Sequence, residues 1–255
     1  MTLLHRDRRR AESFGVEADR YDRVRPGYPE ALVAQLLAPD VHTVLDVGCG
    51  TGIAGRMFLA AGCEVLGIEP DARMAAVARR HGLAVELTKF EAWEPAGRSF
   101  DLTVSGQAWH WVDPDAGAAK AAEALRPGAR LAVFWNLGSL PQDLLDELRG
   151  VYARLAPSVE SYAVLLGNRD DRLDRLTAAL AASGRFGAPQ RELWHWAQPY
   201  SAEEWCEQLL THSDHQALAP PQRARLLEAV GEVIERHGGR FELAYDTVML
   251  SAPRR

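Results

Sequence analysis

The sequence predicts an α/β protein, a mostly parallel sheet with helices packed on both faces. Two observations carry that expectation. Short apolar, β-branched runs alternate with helical patterns from residue 42 to residue 135, and glycines stop most of those runs. The runs also look like strands buried on both sides, as a sheet covered by helices requires. The 255 residues are 47% apolar and 25% charged, which suits one large domain or one domain with a cap and excludes disordered, collagen-like and coiled-coil chains.

Taken in order, residues 1–12 carry Arg6, Arg8, Arg9 and Arg10 with little to bury and are expected to form a mobile arm. Phe14, Ala18 and Tyr21 mark a helix that runs to Arg25, where Pro26 and Gly27 force a turn; a second helix follows near Pro29–Leu37. His42–Val47 reads as a buried strand, Ile53–Ala61 as a helix stopped by Gly62, and Glu64–Ile68 as the next strand. Asp71 caps a helix through Met74 and Val77 that ends at Gly82. Strands near Ala84–Leu87, Phe100–Ser105 and Arg130–Trp135 follow, with an alanine-rich helix at Asp115–Leu125 that is suited to close packing on a sheet.

Beyond Asn136 the rhythm changes. Two amphipathic helices, Leu140–Leu155 and Asp170–Ala182, follow each other without a buried strand between them, so 137–190 is expected to be an inserted helical cap. Arg191–Tyr200 alternates as a strand with Trp194 and Trp196 on one face. Helices at Ala202–Leu210 and Pro221–His237 and a closing strand at Phe241–Leu250 then return the chain to the main domain over 191–255.

Charge and cysteine content narrow the function classes. The net charge of −6, from 29 basic and 35 acidic side chains, disfavours nonspecific nucleic-acid binding. Cys49, Cys63 and Cys206 form no CxxC pair and suit a reducing cytoplasm. No apolar run approaches the roughly 18 residues of a membrane span, and the basic start lacks the apolar stretch of a signal peptide, so neither insertion nor export is expected. The histidines show no metal-ligand spacing, and no metal is expected.

The informative segment is Val44–Gly52, VLDVGCGTG, where a buried strand hands over to a helix. Gly48, Gly50 and Gly52 permit a sharp turn and close approach of a ligand, and Asp46 can accept hydrogen bonds from a cationic amine or from loop amides. A dinucleotide loop places its third glycine where Ile53 stands, and no Walker-type GK[ST] occurs. Glu69, at the end of EVLGIE and 19 residues after Gly50, can bind both hydroxyls of a ribose or cap the following helix.

These segments resemble the class I S-adenosylmethionine-dependent methyltransferases of the small-molecule type, methyltransferase domain 11, well over about residues 13–136 and more loosely beyond. The resemblance implies a Rossmann-like seven-stranded methyltransferase sheet whose last strand is antiparallel. It implies S-adenosyl-L-methionine as cofactor, S-adenosyl-L-homocysteine as product, and Asp46, Gly48, Cys49 and Gly50 around the methionine part. Glu69 and Pro70 of VLGIEPD would meet the ribose, and Met74, Phe90 and Glu91 the adenine. SGQAWHWVDP, Ser105–Pro114, is similar to the QAxHW segment of trans-aconitate methyltransferase-like proteins and implies Gln107 and Trp109 beside the sulfonium, with His110 as a general base. At least one of Trp109 and Trp111 is expected in the core. FGVEADRYDRVRPGYP, Phe14–Pro29, resembles the amino-terminal segment that folds over the cofactor, which implies Tyr21 and Arg25 as closing residues.

The expected reaction is methyl transfer by in-line displacement to an oxygen, nitrogen or carboxylate of a small molecule. Nucleic-acid acceptors are disfavoured, because Ser105–Ala108 replaces the N/D-P-P-Y/F segment and no Pro-Cys nucleophile is present. Acceptor choice is expected from the cap and from Trp194, Trp196 and Trp205. Two other readings remain at this point: a cofactor-binding protein without transfer activity, and a nicotinamide dehydrogenase, which Ile53 and the lack of a Tyr-xxx-Lys pair disfavour.

Overall fold

The computed structural model describes residues 14–159 and 169–255; the expected arm at 1–12, and 160–168 of the expected cap, lie outside the described residues. Seven strands form one sheet in the order β3-β2-β1-β4-β5-β7-β6. They are β1 (Thr43–Val47), β2 (Glu64–Glu69), β3 (Ala84–Leu87), β4 (Phe100–Gly106), β5 (Leu125–Ser139), β6 (Gln190–Ser201) and β7 (Arg240–Pro253). β1 pairs parallel with β2 and β4, and β4 with β5, whereas β7 runs antiparallel to both β5 and β6. Only the last strand is reversed, as the resemblance implied.

The helices are α1 (Ala18–Val24), preceded by a 3₁₀ turn at Phe14–Glu17, α2 (Glu30–Leu36), α3 (Ile53–Ala60), α4 (Ala72–Arg80) and α5 (Pro114–Ala124). After β5 come α6 (Gln142–Leu155), α7 (Arg169–Ser183), α8 (Ala202–Leu209), α9 (Ser213–Gln216) and α10 (Pro220–Arg236). α5 is built largely of alanine, and Ala118, Ala121, Ala122 and Ala124 are fully buried, so the helix lies close on the sheet. Two strands outrun their apolar signal: β5 and β7 pair without a break from Arg130↔Pro253 to Ser139↔Ala244, carrying both past the edge of the parallel core.

Within the expected cap over 137–190, the two described helices pack in different places. Leu144, Leu148 and Tyr152 of α6 share an apolar cluster with Trp205 of α8, Val230 of α10 and Phe241 of β7. Leu173, Leu176 and Leu180 of α7 instead join the cluster beneath β5 that contains Ala118 and Ala121 of α5. Their helical spacing gives α7 one apolar stripe, and the sheet layer covers it. Thus α6 belongs with a helical lobe and α7 with the sheet's own helix layer.

α1 bridges those parts through ion pairs. Asp22 meets Arg56 of α3 at 2.8 Å and His81 at 2.7 Å, while Arg20 and Arg23 meet Glu207 of α8 at 2.9 and 3.0 Å. The amino-terminal segment therefore crosses the carboxyl ends of the parallel strands, where open α/β sheets bind ligands. No helix among the described residues is long and apolar enough to cross a membrane.

Candidate cofactor site

β1 delivers Asp46 to the carboxyl edge of the sheet, in register with Gly67 of β2 and Val104 of β4. The glycine loop follows, with φ of +67° at Gly48, +57° at Gly50 and +88° at Gly52, a region that side chains with a Cβ rarely adopt. A Cβ on Gly48 would stand 2.5 Å from the Ala108 Cβ, so glycine lets the loops after β1 and β4 touch. The Gly48 and Cys49 amides both donate to the Ile68 carbonyl, at 2.8 and 3.1 Å, and hold the bend against β2.

Asp46 is 1% exposed, and neither of its carboxylate oxygens has a hydrogen-bond partner among the described residues. Burial pushes this carboxyl up to about 7; the nearby Gly55 amide eases the shift without meeting hydrogen-bond geometry, and the Glu69 charge adds to it. Glu69 is also pushed up to about 7 by burial, although the backbone amides of Asp71 and Gly50 hold it at 2.8 and 3.0 Å. Each Glu69 oxygen accepts one of those bonds and keeps a lone pair.

One cavity joins these groups. Its lining includes Tyr21, Asp46, Gly48, Cys49, Gly50, Glu69, Pro70, Met74, Phe90, Glu91 and Gln107. Met74 reaches over the loop, its methyl 3.4 Å from where a Gly50 Cβ would lie. Glu91 accepts from the Asp113 amide at 2.9 Å, which ties the adenine-edge candidates to the start of α5. Gln107 is the only non-glycine residue besides Ala96 with positive φ among the described residues, at 56°, and its side-chain amide donates to the Asn136 carbonyl at 2.9 Å. Asn136 in turn donates to the Gly27 carbonyl at 2.8 Å and accepts from the Thr247 hydroxyl at 2.7 Å, so β5 fixes the chain just after α1 over the cavity.

Three expected site residues lie outside the lining: Arg25, Trp109 and His110. Trp109 is 4% exposed, packs against Phe90 and belongs to the core cluster of the sheet. His110 Nδ1 accepts from the Trp135 indole at 3.2 Å. An indole N–H only donates, so Nδ1 is the acceptor in this contact, and the ring is held toward β5 outside the cavity lining. Arg25 turns toward Thr211, where Nε meets the hydroxyl at 2.8 Å. The lining also holds Tyr28, Lys89 and Val112, which the sequence reading passed over, and Trp111, the member of the Trp109 and Trp111 pair that is not in the core cluster. Tyr28 was within reach as part of the RPGYP turn; nothing in the spacing marked Lys89.

Residues 44–128 match the family model described as methyltransferase domain. That stretch is therefore similar to a methyltransferase domain, and the seven-stranded sheet is the class I methyltransferase fold. Around it, an uncharacterized methyltransferase of Mycobacterium tuberculosis is 35% identical over 144 residues, 53% of this chain and 56% of that protein. A malonyl-[acyl-carrier protein] O-methyltransferase of Enterobacter lignolyticus is 36% identical over 145 residues, 54% of this chain and 56% of that protein. The aligned part thus spans about half the length of these curated relatives. Among solved structures, a protein of Anaeromyxobacter dehalogenans provisionally described as a type II methyltransferase is similar at TM-score 0.65 and 22% identity, covering 90% of this chain and 97% of that one. The methyltransferase match begins at β1 and contains Asp46, the glycine loop and Glu69.

Proposed function

We propose that this methyltransferase domain binds S-adenosylmethionine and transfers a methyl group to a small-molecule acceptor. The observation that carries the reading is Asp46: a buried carboxylate with both oxygens unmet beneath a glycine loop calls for a cationic partner. A pyrophosphate calls for the reverse, since its charge would be repelled there, which speaks against a nicotinamide dinucleotide.

The residues present fit the cofactor. Asp46 would hold its amino group, the remaining lone pairs of Glu69 its ribose hydroxyls, and Met74 and Phe90 the adenine faces. When bound, it supplies a methyl group already activated by a sulfonium. The chain's own contribution is then to bind, to orient and to exclude water: Tyr21 and Trp111 offer aromatic faces in the cavity, and the Asn136 bonds hold the Gly27 turn over it. The net charge of −6 and the three free cysteines favour a small-molecule acceptor and a reducing cytoplasm.

Calorimetric titration with S-adenosylhomocysteine and with NAD tests the reading. Saturable binding of the first and none of the second is expected; binding of NAD, or of neither, would refute it.

A further inference from the structure

The turn after α1 puts a phenol into the cavity wall with nothing to bond. Tyr28 lines the cavity, and its hydroxyl has no hydrogen-bond partner among the described residues. Its ring meets Phe134 edge to face, with centroids 4.7 Å apart. Gly106 makes room for it: a Cβ there would lie 2.6 Å from the Tyr28 hydroxyl and 2.7 Å from Phe134 Cε2. Asn136 Nδ2 holds the neighbouring Gly27 carbonyl at 2.8 Å, so the backbone that carries the phenol is fixed to β5. Burial pushes the phenol well above its ordinary range, so it stays protonated and able to donate.

Gly106 lies two residues beyond Val104, the β4 partner of Asp46, so Tyr28 reaches the end of the sheet where Asp46 would hold the cofactor's amine. The amine and the carboxylate of that ligand share one carbon, so an anion arrives with the cation. The usual donors for it are absent or spent. No arginine lines the cavity among the described residues: Arg25 lies outside the lining and gives Nε and Nη2 to Thr211 at 2.8 and 2.9 Å. In the glycine loop, the Gly48 and Cys49 amides go to the Ile68 carbonyl, the Gly50 amide to Glu69 and the Gly52 amide to the Cys49 carbonyl. Lys89, the one cation of the lining, adjoins Phe90 and Glu91 at the adenine edge. Two hydroxyls on the Asp46 side are unspent. One is Tyr28; the other is Thr51, which is 1% exposed, belongs to the same lining and has an Oγ1 without a partner among the described residues.

A hydroxyl buried without a partner costs free energy that a ligand acceptor recovers, and a carboxylate takes strong hydrogen bonds from neutral donors. We infer that the hydroxyls of Tyr28 and Thr51 form the carboxylate subsite of the cavity. This chain then grips the amino-acid end of its cofactor with an acid for the amine and with neutral donors, not an arginine, for the carboxylate. The inference rests on the proposed function, because it needs the cofactor's amine at Asp46.

The test compares S-adenosylhomocysteine with its decarboxylated analogue, which keeps the amine, by calorimetric titration. Wild-type protein is expected to bind S-adenosylhomocysteine about tenfold more tightly than the analogue. Tyr28→Phe and Thr51→Val should each narrow that preference by about threefold or more, through weaker binding of S-adenosylhomocysteine, while affinity for the analogue stays within about twofold. Arg25→Gln should keep the wild-type preference. Thermal melting reports whether each variant is folded; Tyr28→Phe keeps the ring on Phe134, and Thr51→Ala replaces Thr51→Val if the valine is not accommodated. Equal binding of the two ligands by wild-type protein, equal losses on both ligands in the variants, or a preference unaltered by Tyr28→Phe would overturn the inference. So would loss of the preference in Arg25→Gln, which would return the carboxylate to the arginine. Failure of wild-type protein to bind S-adenosylhomocysteine at all refutes the proposed function instead.

Discussion

The crevice at the end of β1 and the helical lobe of α6, α8 and α10 are both lined with aromatic and polar residues, yet they treat their polar groups differently. In the lobe the demands are met internally: Tyr152 bonds His215 at 2.8 Å, His215 bonds Asp214 at 2.8 Å, and the Trp196 indole bonds Thr247 at 2.8 Å. In the crevice Asp46 is buried with nothing to bond among the described residues, Glu69 keeps spare lone pairs, and Gly48, Gly50, Gly52 and Gln107 sit at positive φ. Fully paired polar groups stabilise a core, whereas unmet ones mark where a ligand belongs. The lobe has exceptions, and one of them, Gln208 Oε1, belongs to a side chain that donates to Tyr245.

The sharpest way to break this contrast is to damage each region and compare what fails. Trp205→Ala empties the lobe of a side chain 1% exposed that meets Tyr200 and Phe241 edge to face. A loss of about 3–5 kcal/mol in denaturant unfolding is expected, with S-adenosylhomocysteine affinity kept wherever the variant is folded. Gly48→Val should do the opposite. Its φ of +67° and the 2.5 Å approach to Ala108 leave no room for a Cβ, so calorimetric binding should vanish while folding is weakened by only about 1–3 kcal/mol. Retained binding in Gly48→Val would remove the crevice from the argument.

A subtler measurement uses protons. Asp46 and Glu69 are each raised to about 7 in the folded chain, so between the usual carboxylate range and about 7 the folded state holds protons that the unfolded state has released. Stability should therefore fall as pH rises through that window and level off above it. A cationic amine brought to Asp46 restores the carboxylate and expels a proton. Titrations in two buffers of different ionisation enthalpy should show proton release at about pH 6 and almost none at about pH 8.5. Release that does not change with pH would mean that Asp46 is not the partner.

The crevice was the legible half because its signal is local. VLDVGCGTG and the strand ending in Glu69 place the turn, the buried acid and the second acid within 26 residues of chain, Val44–Glu69, and strand registry does the rest. The lobe was legible only as separate amphipathic helices. A periodic apolar stripe tells that a helix is covered, not by what, so the leucines of α6 and of α7 look alike in sequence although one helix joins α10 and the other the sheet. The partner of Arg25 was illegible for a similar reason: Thr211 is 186 residues away.

The smallest expected effect bears on the segment where the two readings diverged most. Trp109–Trp111 forms a single 3₁₀ turn, in which successive side chains point about 120° apart. One direction sends Trp109 into the core, the next brings His110 to the Trp135 indole, and the third turns Trp111 into the cavity. A sequence motif shows that the three residues occur together and cannot show that they separate. His110→Ala should accordingly leave the maximal rate of methyl transfer within about threefold of wild type and cost about 1 kcal/mol of stability, from the indole N–H it leaves without an acceptor. Replacing Trp111 by Ala should lower the affinity for S-adenosylhomocysteine instead, because that side chain lines the cavity. A hundredfold fall in rate for His110→Ala with unaltered cofactor binding would restore the histidine as a base, and would require the indole contact to open when the acceptor enters.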